Sequence, residues 1–316
     1  MQKSRNATAS SKKQSKPGGQ PNVAPVASKS GAHKAAKGVL APGLYIVATP
    51  IGNLGDMTER AIATLNGADV VACEDTRVTA VLLRRYGITT PMLSYHDHNA
   101  DRVRPQLMER LAAGEAIALV SDAGTPLISD PGYKLVRDCA ATGIATVPLP
   151  GASALLAALV VAALPTDQVL FAGFLPAKGT ARRGTISTMK TLQATLVFYE
   201  SPQRLAESLA DLAAVLGDRP AAVCRELTKL HEEVRRGGLA DLAATYGAAD
   251  TPKGEVVVVV GGAPADQAEV DDDAIDAALK DAMATMSVRD AAAAVATALG
   301  QPRRVVYAKA LALAKK

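Results

Sequence analysis

Residues 44–56 read Leu-Tyr-Ile-Val-Ala-Thr-Pro-Ile-Gly-Asn-Leu-Gly-Asp, an apolar run that turns abruptly polar and glycine-rich. Leu44–Ala48 is continuously apolar rather than alternating, which predicts a strand covered on both faces. Thr49–Asp56 is then the loop leaving its carboxyl end. The same unit repeats downstream. Further strands are predicted at Val70–Cys73, Met92–Tyr95, Ile117–Val120 and Thr146–Leu149, with helical patterns at Thr58–Leu65, Thr76–Tyr86, Asp101–Ala113 and Pro131–Thr142. Thr58 suits an N-cap and Pro131 a first helical turn. Strands alternating with helices define an α/β domain on a parallel sheet.

Pro148–Gly151 breaks this rhythm, and an Ala/Leu-rich helix, Ala152–Leu164, follows. A second α/β set then comprises strands Val169–Phe174, Thr195–Tyr199, Ala221–Arg225 and Val256–Val260, with a short candidate strand at Glu232–Arg235. Its helices are Arg182–Leu192, Pro202–Leu216 and Leu239–Tyr246. Beyond it lie Ala-rich helices at Ala274–Met286, Val288–Leu299 and Arg303–Ala314. Ser287 and Asp290 make a cap-and-acid pair, and Gly300 with Pro302 ends the middle helix. Three short helices with a tight turn form either a helix-turn-helix or a plain packing bundle. The expected divisions are a tail over 1–40, α/β domains over 41–152 and 153–262, and a helical unit over 263–316.

Composition narrows the class. The 316 residues are 48% hydrophobic, enough for a sizeable core, but the longest apolar run, Ala152–Pro165, falls short of the ~20 residues that span a bilayer. Three cysteines, Cys73, Cys139 and Cys224, neither staple a secreted fold nor show zinc-ligand spacing, which points to a reducing cytoplasm. The net charge of +4 conceals an asymmetry: residues 1–40 carry eight basic side chains and no acid, leaving 27 basic against 31 acidic residues in the rest. The body is mildly acidic, so overall basicity is no argument for nucleic-acid binding by it. The tail, rich in Ser, Gly, Pro and Lys without apolar period, is expected to be disordered. It serves as a solubilising extension or as an RNA-contacting basic arm.

Ligands of open α/β sheets bind outside the carboxyl ends of the strands. Those positions carry Thr49–Asp56, Glu74–Arg77, His96–Asn99, Ser121–Pro126 and Pro150–Ala154, a concentration of ionisable groups and glycines that turns alone do not need. No G-x-G-x-x-G or P-loop pattern is present, and neither Ser121 nor Ser153 lies in a G-x-S-x-G elbow. His96, Asp97 and His98 lack further ligands at metal-site spacing, so no metal is expected.

Taken together, 44–56, Glu74–Arg77, His96–Asn99 and Ser121-Asp-Ala-Gly-Thr-Pro-Leu-Ile-Ser-Asp-Pro-Gly132 closely resemble the RsmI family, small-subunit ribosomal RNA methyltransferases of the tetrapyrrole methylase superfamily. Gly173–Lys178, Phe198–Ser201, Arg225–Lys229 and Lys253–Glu255 extend the likeness over roughly 43–262. The pattern departs at Ala152-Ser153, where the family has Pro-Cys. The resemblance implies two α/β domains with a ligand cleft between them and a C-terminal helix-turn-helix. It also implies a homodimer, and methyl transfer from S-adenosylmethionine to the ribose 2′-hydroxyl of a cytidine in the decoding region of 16S rRNA.

On that basis Thr49, Pro50, Gly52, Ser121, Asp122, Ala123, Gly124, Thr125, Ala152, Ser153 and Ala154 are expected to hold the cofactor. Asp75, Arg77, His96 and His98, with Glu74 and Asn99, are expected to face the substrate. The planar fork of Arg77 suits a phosphate, and the general base is either Asp75 or His96. Glu200, Glu226, Lys229 and Lys253 are further candidates from the second domain. A porphyrinoid methylase and a non-catalytic RNA-binding protein are the competing readings. The basic segment 301–316, with Arg303, Arg304, Lys309, Lys315 and Lys316 and no acid, argues against the porphyrinoid reading.

Overall fold

The computed structural model describes residues 40–264, 272–299 and 301–314. The expectation for the basic tail therefore lies outside the described residues, apart from Leu40. In the first half, β1 (Gly43–Val47), β2 (Val70–Cys73), β3 (Met92–Ser94), β4 (Ala116–Val120) and β5 (Thr146–Leu149) form a wholly parallel sheet in the order β3-β2-β4-β1-β5. Helices α1 (Glu59–Gly67) and α2 (Thr76–Arg85) cover one face, and α3 (Ala100–Ala112) and α4 (Tyr133–Thr142) the other. Pleating explains the division. Tyr45, Val47, Val71 and Cys73 pack toward Ala61, Leu65 and Leu83, while Leu44, Val70 and Ala72 meet Leu107, Leu111 and Leu135.

The connection after β1 leads toward β2 on one side and that after β4 toward β5 on the other, on opposite faces of the sheet. The junction of β1 with β4 is therefore the topological switch point, where such sheets open a crevice.

The second half departs from a simple repeat. Its strands are β6 (Val169–Phe174), β7 (Thr195–Glu200), β8 (Pro220–Arg225), β9 (Glu233–Gly238) and β10 (Val256–Val260), in the order β6-β7-β10-β8-β9. Only β6 and β7 are parallel; β10 runs antiparallel to both β7 and β8, and β9 antiparallel to β8. Helices α6 (Gly179–Ser187), α7 (Leu205–Leu216) and α8 (Leu239–Ala248) cover one face. On the other face α5 (Ala154–Ala162) packs Ala158, Leu159 and Ala162 against Val197, Cys224 and Val259. Ile51, from the loop after β1, is 6% exposed and belongs to this second core.

Several element ends differ from the sequence reading, each for a local reason. Gly132 precedes α4 at φ 131, a conformation that ends any helix beginning at Pro131. A Cβ there would come within 2.9 Å of the Leu119 side chain, so the turn requires glycine. Helix α6 begins at Gly179 and stops at Ser187, followed by i→i+3 bonds at Thr188, Met189 and Leu192. Pro202–Arg204 is a 3-10 turn ahead of α7 rather than its first turn.

The remaining helices, α9 (Asp272–Met283), α10 (Val288–Ala298) and α11 (Arg303–Leu313), share a small core around Leu279, Val295 and Val306. Ser287 caps α10 by accepting from Asp290 N at 3.2 Å while its hydroxyl donates to the Asp290 carboxylate at 2.7 Å. Among the described residues no helix is long and apolar enough to cross a membrane.

Candidate functional site

The loops after four strands of the first sheet are sewn together at the switch point. Thr49 N donates to Gly124 O at 2.8 Å and Gly124 N to Thr49 O at 3.0 Å, an isolated antiparallel bridge joining the β1 and β4 loops. Gly124 sits at φ 81, and a Cβ on it would lie 3.4 Å from Ile51 Cγ2. The Thr49 hydroxyl donates to Ser121 O at 3.2 Å. That of Thr125 donates to Ala152 O at 3.1 Å, bringing in the β5 loop. Asp75 N donates to the Asp122 carboxylate at 3.0 Å, bringing in the β2 loop.

Three cavities open around this knot. The first, about 360 Å³, is lined by Asp122–Thr125, Ile128–Asp130, Ser153, Ala154 and residues of β7 and β10. Its walls are apolar at Ile51, Val256 and Val257, with Tyr199 meeting Phe171 edge-to-face at 4.9 Å. Among its described lining residues there are four carboxyl groups (Asp122, Asp130, Glu200 and Glu255) and no Lys or Arg. Such a wall repels polyphosphates and favours a ligand that carries positive charge on an apolar body. A sulfonium nucleoside meets that description. Ser153 caps α5, and the N-terminus of that helix opens toward the same space, a setting suited to a carboxylate.

The second cavity, about 400 Å³, is lined by Thr49–Gly52, Leu54, the α2 residues Val78, Val81 and Leu82, Ser121–Ala123, and Lys229 and Glu255. The third, also about 400 Å³, is polar: Glu74–Arg77, Ser94, His96, His98 and Asp122. Asp122 stands in the wall of all three.

The structure thus divides the expected cofactor residues. Asp122, Ala123, Gly124, Thr125, Ser153 and Ala154 line the first cavity; Thr49, Pro50, Gly52 and Ser121 line the second. Ala152 contributes its carbonyl to Thr125. Asp75, Arg77, His96 and His98 come together in the third.

Their electrostatic states differ. Asp75 caps α2, accepts from Arg77 N at 2.8 Å, and holds the Arg77 guanidinium at 2.5 to 3.1 Å, which drops its carboxyl to about 2. Glu74 is pushed up by burial and then by the carboxylates of Asp122, Asp130, Asp97 and Asp75. Burial likewise raises Asp130. Nδ1 of His96 is buried without a hydrogen-bond partner in the described structure. Asn99 shapes this loop, accepting from His96 N at 2.9 Å and donating to Ser94 O at 3.0 Å.

Of the second-half candidates, Glu200 lines the first cavity but is committed. It binds Ser201 N, Arg204 and Ser208 at 2.5 to 2.8 Å, fixing the start of α7. Lys229 lies between Glu226 and Glu255 at 2.8 and 3.0 Å. Lys253 offers its carbonyl to Arg225 at 2.9 Å. Ile128, Asp130, Tyr199 and Val257 were not singled out from the sequence. The second Ser-Asp pair in 121–132 was the available signal for Asp130; the other three are apolar or strand residues indistinguishable from core.

Residues 43–243 match the family model of tetrapyrrole (corrin/porphyrin) methylases, and 269–314 that of the RsmI C-terminal HTH domain. Among solved structures, the methyltransferase CobJ superposes with a TM-score of 0.53 at 21% identity, covering 70% of this chain and 94% of its own. Diphthine synthase does so with 0.53 at 16% identity, covering 69% and 89%. Two sheets of this order around a loop-built crevice are the tetrapyrrole methylase fold, and the three C-terminal helices are a helix-turn-helix domain rather than a plain bundle.

Ribosomal RNA small subunit methyltransferase I of Mesorhizobium japonicum is 52% identical over 275 residues, 87% of this chain and 93% of that protein. Its counterpart from Escherichia coli O157:H7 is 44% identical, over 85% and 94%. The chain belongs to the ribosomal RNA small subunit methyltransferase I family.

Proposed function

We propose that the protein methylates the ribose 2′-hydroxyl of a cytidine in the decoding region of 16S rRNA, within the small ribosomal subunit, and that it works in the cytoplasm as a homodimer. The methyl donor is S-adenosylmethionine, which when bound supplies an activated methyl on a sulfonium. The observation that supports this reading best is the place of Asp122 in the walls of three cavities, so that donor, acceptor nucleoside and proton acceptor meet at one residue. Positioning two reactants in line is the larger part of what such a transfer needs from a protein.

In this reading Asp122–Thr125, Ser153 and Ala154 hold the cofactor, with the carboxylates of Asp122 and Asp130 opposite its positive charge. Thr49, Pro50, Gly52 and Ser121 form the floor between cofactor and nucleoside. Arg77, Arg84 and Arg85, carried by α2, meet the RNA backbone. Asp75, already tied to Arg77, is too weak a base and serves to fix that guanidinium. His96 takes the hydroxyl proton, and His98 lines the same approach. The working division is into α/β domains over 41–152 and 153–262 with the helical domain over 263–316.

The test is transfer from labelled S-adenosylmethionine to small subunits lacking the modification, followed by mapping. Label on a 2′-oxygen of a decoding-region cytidine is expected. Label on a base, or none despite cofactor binding, overturns the reading.

A further inference from the structure

Lys229 and Glu255 belong to the second half of the chain, yet both line the cavity beside the first-half turn Thr49–Leu54. Their placement is over-determined. Gly52 has no Cβ, and one built there would lie 2.3 Å from Lys229 Cγ, so the lysine stem occupies the room that glycine leaves. Gly254, at φ 93, likewise leaves the room filled by Glu226. The connecting loop holds two non-glycine residues in left-handed conformations, Glu226 at φ 51 and Thr228 at φ 67. Strain of this kind persists where surrounding structure enforces it, and it concentrates at functional sites. Lys229 Nζ donates to Glu226 and Glu255, and an ammonium has three hydrogens. The Glu255 side chain is 70% exposed, and a carboxylate offers about four acceptor positions.

The α2 residues and Leu54 make part of the cavity wall aliphatic. Leu54, Val78 and Val81 are 42%, 45% and 56% exposed, apolar surface that nothing in the fold covers among the described residues. A phosphate gains nothing from such a wall. A flat heterocycle does, through its faces, while its polar edge meets the Lys229–Glu255 pair. The cavity shares Ile51, Asp122, Ala123 and Glu255 with the first one, so a nucleoside seated here has its sugar beside the methyl donor.

We propose that this cavity receives the target base, flipped from the RNA, and that Glu255 and Lys229 read it as cytosine. The proposal rests on the methyl-transfer reading given above. Glu255 accepts from the exocyclic amino group, the pairing that carboxylates make with cytosine, and Lys229 donates to the ring nitrogen beside it. With the ring held by Leu54, Val78 and Val81, uracil presents an acceptor to the carboxylate and a donor to the ammonium, reversing both contacts.

The test compares transfer to unmodified small subunits carrying cytidine or uridine at the target position, using the full-length protein. The wild type is expected to favour cytidine. Glu255→Gln, whose amide both donates and accepts, should narrow the cytidine-to-uridine ratio of kcat/KM by about tenfold, the scale of one base-edge contact. Lys229→Met, which keeps the stem over Gly52, should narrow it similarly. Cofactor affinity, measured by calorimetry, should stay within about twofold of wild type in Lys229→Met, because Lys229 lines the second cavity and not the first.

An unchanged ratio in both variants overturns the proposal, because a structural role moves activity without moving base preference. Loss of cofactor binding by Lys229→Met in step with its activity also overturns it, because it would give the lysine a role at the donor instead of the base. If the wild type labels no RNA while binding the cofactor, the underlying reading fails, and this assignment with it.

Discussion

Asp75 and His96 share a cavity but are held in opposite conditions. The Asp75 carboxylate takes three N–H donors from one arginine, while His96 keeps a buried ring nitrogen without a partner. Carboxyl titration followed by NMR should find Asp75 near its value of about 2. Because the folded value lies below the ordinary ~3.9, the stability this pair lends is present above about pH 4 and is lost as pH falls toward 2. Asp75→Ala removes the N-cap of α2 as well and should lower the denaturant midpoint at neutral pH. His96→Ala, in contrast, should leave folding and cofactor binding intact and slow transfer by roughly 10²–10⁴-fold, the usual worth of a positioned base. A residual rate within a fewfold of wild type would take the base role from His96.

At the scale of elements, a buried side chain links the loops of the first sheet to the core of the second. Ile51 leaves the β1 loop, approaches Gly124 and is buried in the core that α5 forms with the second sheet. Ile51→Ala should cost about 2–5 kcal/mol, as buried aliphatic truncations do, and should weaken cofactor binding as well, because Ile51 walls the first two cavities. Reduced stability with unchanged cofactor affinity would show that the cavity does not depend on this side chain. The sequence made the first sheet legible because Val70–Cys73 and Thr146–Leu149 are bounded by turn residues on both sides. The mixed direction of the second sheet was not legible, since Val256–Val260 looks the same whether its neighbours run parallel or antiparallel to it. Likewise the clustered loops announced a site, but not that Thr49 and Thr125 would line different cavities. That depends on the Thr49–Gly124 bridge, which joins positions far apart in the chain.

For the whole molecule, the placement of charge assigns work to its parts. The first cavity is lined by four carboxyl groups, which suits the cofactor but repels an RNA backbone, so in the proposed function attraction for the ribosomal particle would come from elsewhere. In the proposed function, Arg77, Arg84 and Arg85 on α2 would provide part of it. The C-terminal helices present another basic surface, where Arg303, Arg304 and Tyr307 are exposed at the start of α11 while Val306 and Ala310 face the small core. That core is its own, with Ile275, Leu279 and Val295 contributed by α9 and α10, so removing 263–316 takes away one packed unit. The deletion should weaken binding to small subunits far more than binding to S-adenosylmethionine. It should also flatten the fall of affinity with salt, by about 0.7–0.9 in log-log slope for each phosphate that is no longer neutralised. Titrations with both ligands across a salt series distinguish the alternatives. An equal fall in the two affinities would mean that the helical domain supports folding or dimerisation, and an unchanged salt slope would place the RNA-binding side chains on α2 and the cavity rim instead.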